Sequence, residues 1–206
     1  MSRHFAEIAF TPAVQREQEK HNSRHLYARG AQAGEAEARF SEAEHEFIAE
    51  RDGFYMATVS ETGWPYIQYR GGHKGFLHVL DDQTLGFADL RGNRQFVSTG
   101  NLKGDDRVAL FLMDYATQSR LKILGRAEIH EEDERAAELI ARFRMPQEKT
   151  PSERAFVIHV EAFDWNCQQH ITPRYSEEEL KRILEPTRQR MEAMEKELAE
   201  LRAKAK

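Results

Sequence analysis

The chain has a single cysteine, Cys167, among 206 residues, so no internal disulfide can form and no cysteine pair offers a zinc ligand set. No motif supports Cys167 as a nucleophile. His21 and His25 read as a solvated helix face rather than metal ligands, and no metal site is expected. No Gly-x-Gly-x-x-Gly follows a strand pattern and no Gly-x-x-x-x-Gly-Lys-Ser/Thr occurs, which removes the usual dinucleotide and nucleotide phosphate loops. Long apolar runs are missing as well. The opening residues, Met1-Ser2-Arg3-His4-Phe5-Ala6-Glu7-Ile8, turn charged at once, so a cytoplasmic protein with no membrane partner is expected. The formal net charge is −5, with no basic stripe interleaved with aromatics, which argues against a nucleic-acid partner.

What is present is a series of short β-type segments separated by turn signals. Phe54–Val59 and Pro65–Arg70 flank Glu61-Thr62-Gly63-Trp64 and read as a hairpin. Further strands are expected at Gly75–Leu80, Leu85–Ala88, Val108–Met113 and Arg120–Ile129, broken by Asp81-Asp82, Gly104-Asp105-Asp106 and Asp114-Tyr115. That spacing favours an antiparallel barrel. Alternation around Arg120 puts Leu121 and Ile123 on one face and Arg120, Lys122 and Leu124 on the other.

The richest segment is residues 86–104, where an apolar strand runs into a turn with anion-binding chemistry. Asn93 and Gln95 offer amide donors, Arg94 offers a planar fork for two phosphate oxygens, and Gly92 admits a close backbone approach. Taken alone, the turn could equally be a plain hairpin with a solvated arginine.

The order of Ala57-Thr58-Val59, Gly63-Trp64-Pro65-Tyr66, Asn93-Arg94-Gln95, Asp106–Leu110 and Arg120–Ala127 resembles the FMN-binding split β-barrel family related to pyridoxamine 5′-phosphate oxidase, over roughly residues 41–175. The resemblance implies an α+β, mainly antiparallel split β-barrel with flanking helices and a long C-terminal helix. It implies FMN as cofactor and a homodimer that shares the flavin site. It also implies phosphate binding by Asn93, Arg94 and Gln95, and cofactor contacts from Gln68, Tyr69, Arg70, Arg120 and Leu121, with Trp165 and Arg174 closing the site. Arg120 and His170 are the candidate catalytic residues, His170 as a hydrogen-bonding or proton-shuttling group. The oxidase carries Ser-Arg-Lys where this chain has Asn93-Arg94-Gln95. Losing that lysine removes a positive charge facing a phosphate dianion, so another cation, Arg70 or Lys74, is expected to compensate. The oxidase also presents Gln where Arg120 stands.

The helical pattern lies outside the strands. Thr11-Pro12 opens one helix, Ser41-x-x-Glu44 forms a capping box for another, and Arg29–Glu35 reads as a mobile connection between them. Residues 131–145 form an amphipathic helix with Ala137, Ile140, Ala141 and Arg144 at helical spacing, ended by Pro146. Leu180, Leu184, Thr187, Met191, Met194, Leu198 and Leu201 recur at coiled-coil spacing, though Pro186 interrupts. That helix could pair between chains or pack back on its own barrel. The expected domains are therefore a helical extension over 1–52, the barrel over 53–175, and a C-terminal helix over 176–206.

The function expected is an FMN-dependent oxidoreductase acting on a small molecule, with NAD(P)H as a transient electron donor. The alternatives are a non-catalytic flavin-binding or sensing protein with a partner-binding C-terminal helix, and a split-barrel protein using haem or deazaflavin.

Overall fold

Seven strands pair antiparallel throughout in the computed structural model, which describes residues 3–33, 38–165 and 169–204. They are β1 (Gly53–Val59), β2 (Pro65–Gly71), β3 (His78–Asp81), β4 (Thr84–Leu90), β5 (Arg107–Asp114), β6 (Ser119–His130) and β7 (Ser152–Trp165). The sheet order is β2-β1-β5-β6-β7-β4-β3. Strands β2 and β3 are its edges, and among the described residues no ladder joins them, so the barrel is split rather than closed.

The β1–β2 hairpin forms as its sequence suggests. Gly63 takes φ +82° in the turn, and the Trp64 amide donates to Ser60 Oγ at 3.1 Å. Tyr55 then lies opposite Tyr69 and Phe54 opposite Arg70. Phe54 and Met56 point inward and join Leu85, Phe87, Leu110, Leu121, Ile123 and Phe156 in the main core.

Strand β7, the longest, is absent from the sequence reading. Its inner segment is buried on both faces. Phe156 and Ile158 enter the main core, while Ala155 and Val157 pack with Phe143 in a second cluster. Two-sided burial erases the apolar/polar alternation that marks a half-exposed strand. The cover is helix α6 (Glu134–Phe143), capped by Asp133, whose carboxylate accepts from the Ala136 amide at 2.5 Å. Its buried residues are Ala136 and Phe143 rather than the face centred on Ala137 and Ala141. Gly86 is required beneath it, because a Cβ there would lie 2.3 Å from Phe143 Cζ.

Four helices precede the sheet: α1 (Arg3–Ala9), α2 (Pro12–Lys20), α3 (Arg24–Ala33) and α4 (Glu42–Ala49). The expected connection at 29–35 is helical through Ala33; residues 34 and 35 lie outside the described residues. Helix α5 (Val97–Gly104) follows β4 and was not anticipated, since Val97, Thr99, Gly100 and Gly104 are poor helix formers. Asn101 Nδ2 holds it to β1 by donating to Thr58 Oγ1 at 2.9 Å, inside the core.

By internal contacts the chain divides into two units, Met1–Asp114 with Ser119–Gln168, and Tyr115–Gln118 with Gln169–Lys206. The N-terminal helices thus belong with the barrel, and residues 169–175 with the C-terminal unit. In that second unit, Gln118 Nε2 donates to the Ile171 carbonyl at 2.5 Å, and helix α7 (Glu177–Lys204) runs unbroken through Pro186. Among the described residues no helix is long and apolar enough to cross a membrane.

Helix α4 is fastened to the barrel by one carboxylate. Glu44 accepts from Ser41 N and Oγ at 2.9 and 2.6 Å, completing the capping box, and from Trp165 Nε1 at 2.6 Å. Phe47 packs edge-on against the same indole, with ring centroids 4.7 Å apart. Burial pushes the Glu44 carboxyl upward, but the Ser41 and Trp165 hydrogen bonds outweigh it and hold the group below its ordinary 4.5. A depressed carboxylate stabilises the fold above its unfolded value and loses that contribution as pH falls through its folded one. In a Trp64→Phe chain, Trp165 fluorescence should therefore change on acidification with a midpoint below 4.5. Glu44→Gln should flatten that titration, and an unchanged curve would exclude this linkage.

Candidate functional site

Strand β2 and the turn after β4, two segments far apart in sequence, meet at one cleft of about 290 Å3 in the first unit. Alternation along β2 turns Gln68 and Arg70 inward, while Tyr69 sits at the rim, more than half exposed. From the other side come Phe87 to Arg94, then Phe96 and the first turn of α5, with Glu153 and Arg154 supplied by the start of β7. Ser98 ties the two sides together, its hydroxyl donating to Gln68 Oε1 at 3.1 Å.

The floor is ionic. Asp89 accepts from Arg70 Nη1 in a short contact and from Arg154 Nη1 at 3.0 Å, and all three side chains are nearly excluded from water. Asp89 and Arg154 lie opposite each other in the β4–β7 register. Arg70, by contrast, comes from β2 at the far edge of the sheet, so its bond to Asp89 spans the split. Burial is the largest influence on both partners: it pulls the Arg70 guanidinium below its ordinary value and pushes the Asp89 carboxyl up, while their mutual attraction opposes both shifts. The arginines also lie on aromatic faces, Arg70 5.3 Å from the Phe156 centroid and Arg154 4.9 Å from that of Phe96.

The turn is shaped by one internal hydrogen bond and two left-handed residues. Asn93 Oδ1 accepts from the Gln95 amide at 3.2 Å, and Arg94 and Phe96 adopt left-handed φ values of 60° and 53°. Such angles are costly for residues with a Cβ and persist where the surroundings enforce them. Arg91 donates to Glu153 Oε1 at 2.8 Å. Arg94 forms no ion pair among the described residues; its guanidinium lies over Phe96, 5.6 Å from the centroid. Four arginines and two carboxylates line the cleft, and a third carboxylate, Glu131, lies behind it 3.4 Å from Arg154 Nε, so cationic groups outnumber anionic ones, with Arg94 the one least committed to a partner.

Of the residues singled out in sequence, Gln68, Tyr69, Arg70, Asn93 and Arg94 line this cleft and Gln95 does not, its amide being used in the turn. Lys74 is turned to Glu50, at 3.4 Å, and is not among the cleft residues, whereas Arg70 lines the cleft with its guanidinium paired to Asp89. Arg120 is half-buried on β6, 5.4 Å over the Phe111 ring, and Leu121 beside it is a fully buried core residue. Trp165 is engaged with Glu44 and Phe47. His170 and Arg174 belong to the second unit, His170 at φ +67° in a turn and Arg174 over the Tyr115 ring at 5.1 Å. Cys167 lies outside the described residues. Sequence reasoning missed Asp89, Arg154, Glu153 and Ser98 as site residues. The Glu153-Arg154 pair before the apolar run Ala155–Ile158 was the signal for two of them, legible only once that run is known to be a strand.

A family model described as Pyridoxamine 5'-phosphate oxidase matches residues 40–167. No curated protein matches the chain. Among solved structures, one similar chain is a Lactobacillus delbrueckii protein described as a candidate pyridoxamine 5′-phosphate oxidase. It is 22% identical, with 63% of this chain and 96% of that one covered and a TM-score of 0.49. HupZ of Group A Streptococcus is 19% identical over 66% and 99% of the two chains, with a TM-score of 0.48. HutZ, the heme storage protein of Vibrio cholerae, is 18% identical over 62% and 94%, with a TM-score of 0.43.

The ionic floor carries a stability prediction. Asp89→Ala leaves two guanidinium groups buried without their shared carboxylate and should destabilise the fold by about 3–5 kcal/mol, read by urea unfolding. A loss within about 0.5 kcal/mol, the range of an ordinary surface substitution, would show that the triad does not hold the sheet edges together.

Proposed function

This chain belongs to the pyridoxamine 5′-phosphate oxidase family, and from that premise we propose that its cleft binds FMN and that the protein is an FMN-dependent oxidoreductase acting on a small molecule. One observation carries the reading. Gln68–Arg70 and Asn93-Arg94, both expected as cofactor contacts from the family resemblance, line a single cleft in which cationic groups outnumber anionic ones. The donor set suits the cofactor: Arg94 offers a free fork for a phosphate dianion, Gly92 leaves open space around its backbone, and Gln68 and Ser98 offer neutral hydrogen-bonding groups to a polyol or ring edge.

FMN, when bound, supplies the two-electron redox chemistry. The protein's part is placement. Arg94 anchors the phosphate, the buried Arg70–Asp89–Arg154 floor keeps the opposite wall rigid, and Phe87 and Phe96 exclude water. In this reading Trp165 and Arg174 come from the second protomer of a homodimer, and Arg120 and His170 face the reactive side of the flavin. NAD(P)H is the proposed visiting donor, no resident dinucleotide loop being present in the sequence.

The test is an absorption spectrum of the purified protein with mass spectrometry of any molecule released by heat. FMN, with its two visible-region bands, supports the reading; an intense Soret band or a deazaflavin spectrum replaces it with haem or deazaflavin. Arg94→Ala should weaken FMN binding by about 1.5–3 kcal/mol in a flavin-fluorescence titration while leaving riboflavin affinity unchanged. Equal loss for both ligands, or none, would remove Arg94 from the phosphate site.

A further inference from the structure

Helix α7 carries an apolar seam with nothing on it. None of its described residues is buried, and Leu180, Leu184, Met191, Met194, Leu198 and Leu201 are each between 43% and 59% exposed. Their alternating four- and three-residue steps define a heptad in which Leu184, Met191 and Leu198 occupy a, and Leu180, Thr187, Met194 and Leu201 occupy d. A helix with such a seam buries it against something of matching period, and the flanking charges say what.

We propose that α7 pairs with α7 of a second copy of this chain as a parallel, in-register two-stranded coiled coil. Flanking positions g and e decide the orientation. In a parallel pair each g residue faces the e residue five positions on in the other helix. Arg190 then meets Glu195, and Glu197 meets Arg202, each twice by symmetry, with no like-charged pair along the seam. In the antiparallel arrangement that best satisfies these central charges, e faces e and g faces g, so Arg188 meets Glu195 and Arg190 meets Glu197, but Arg202 then falls near Lys181, a repulsion the parallel pair lacks. Charge complementarity therefore selects a second copy, running parallel. Pro186 falls at c, on the outward side, and the helix passes through it. Its missing N–H and any bend it imposes fall away from the seam. Charged residues at b, c and f, among them Glu185 and Glu192, which accept from the e-position Arg188, keep the outer face in water.

Disulfide trapping in the full chain, with Cys167→Ser to remove the native thiol, tests orientation and register directly. Under mild oxidation Leu198→Cys, at a, should form interchain disulfide roughly tenfold or more faster than Lys196→Cys, at the outward f position. Glu197→Lys should slow that trapping several-fold, and adding Arg202→Glu in the same chain should restore it. A parallel register brings residue 198 against its own copy; an antiparallel one keeps the two far apart. Equal rates at 198 and 196, or no disulfide at either, would overturn the proposal, whatever cofactor the cleft binds.

Discussion

The bond between Arg70 and Asp89 is the interaction on which the rest of the first unit depends. A sheet ordered β2-β1-β5-β6-β7-β4-β3 curls until its two ends approach, yet its edge strands share no ladder. In a closed barrel, backbone hydrogen bonds would make that seam. Here a guanidinium from edge strand β2 reaches a carboxylate on β4, at the other end of the sheet, and Arg154 of β7 grips the same carboxylate from below. Backbone pairing is replaced by a buried ion triad, which is strong only while complete, because removing one member leaves charge in a low dielectric.

The cleft is a consequence of the same split. A closed ladder would fill the gap with backbone, whereas an ionic clamp leaves space above it. Helix α5 lies at this gap, following β4 and bonded to β1 through Asn101 and Thr58 and to β2 through Ser98 and Gln68. The turn that leads into α5 must then reverse within a few residues, which is why Arg94 and Phe96 are driven into left-handed conformations. Those angles direct the Arg94 guanidinium over the Phe96 ring beside the cleft instead of along a strand. Strain in the turn and the exposed cation thus have one cause.

How much of this was legible follows from which signals each residue carried. The β1–β2 hairpin declared itself through alternation and a turn glycine, the α4 capping box through Ser41 and Glu44, and the turn that lines the cleft through Asn93-Arg94. Each is a local pattern. Strand β7 was hidden because both of its faces are covered, and with it went Arg154, half of the ionic floor. Helix α5 was hidden because tertiary bonds from Ser98 and Asn101, not propensity, hold it. The pairing of Arg70 with Asp89 had no sequence signal at all, since it depends on the two ends of a seven-stranded sheet arriving at the same place. Leu121 and Trp165 show the converse: family resemblance marked them, and the structure gives both packing work within this chain.

The distribution of charge around the cleft also bears on the proposed FMN site, where Asn93-Arg94-Gln95 carries a single cation. Arg91 and Arg154 bring further positive charge to the same wall, but Glu153 and Asp89 largely neutralise them, so they set a positive background rather than offering free forks. Arg70 is spent on the sheet seam. In the proposed FMN site, recognition of the phosphate therefore falls on Arg94, with the others raising the local potential in a partly dry site where each unit of charge acts over a longer range than in water. Arg70, Arg91 and Arg154 are thus paired along the walls of the cleft, and Arg94 is the cation left for the proposed phosphate.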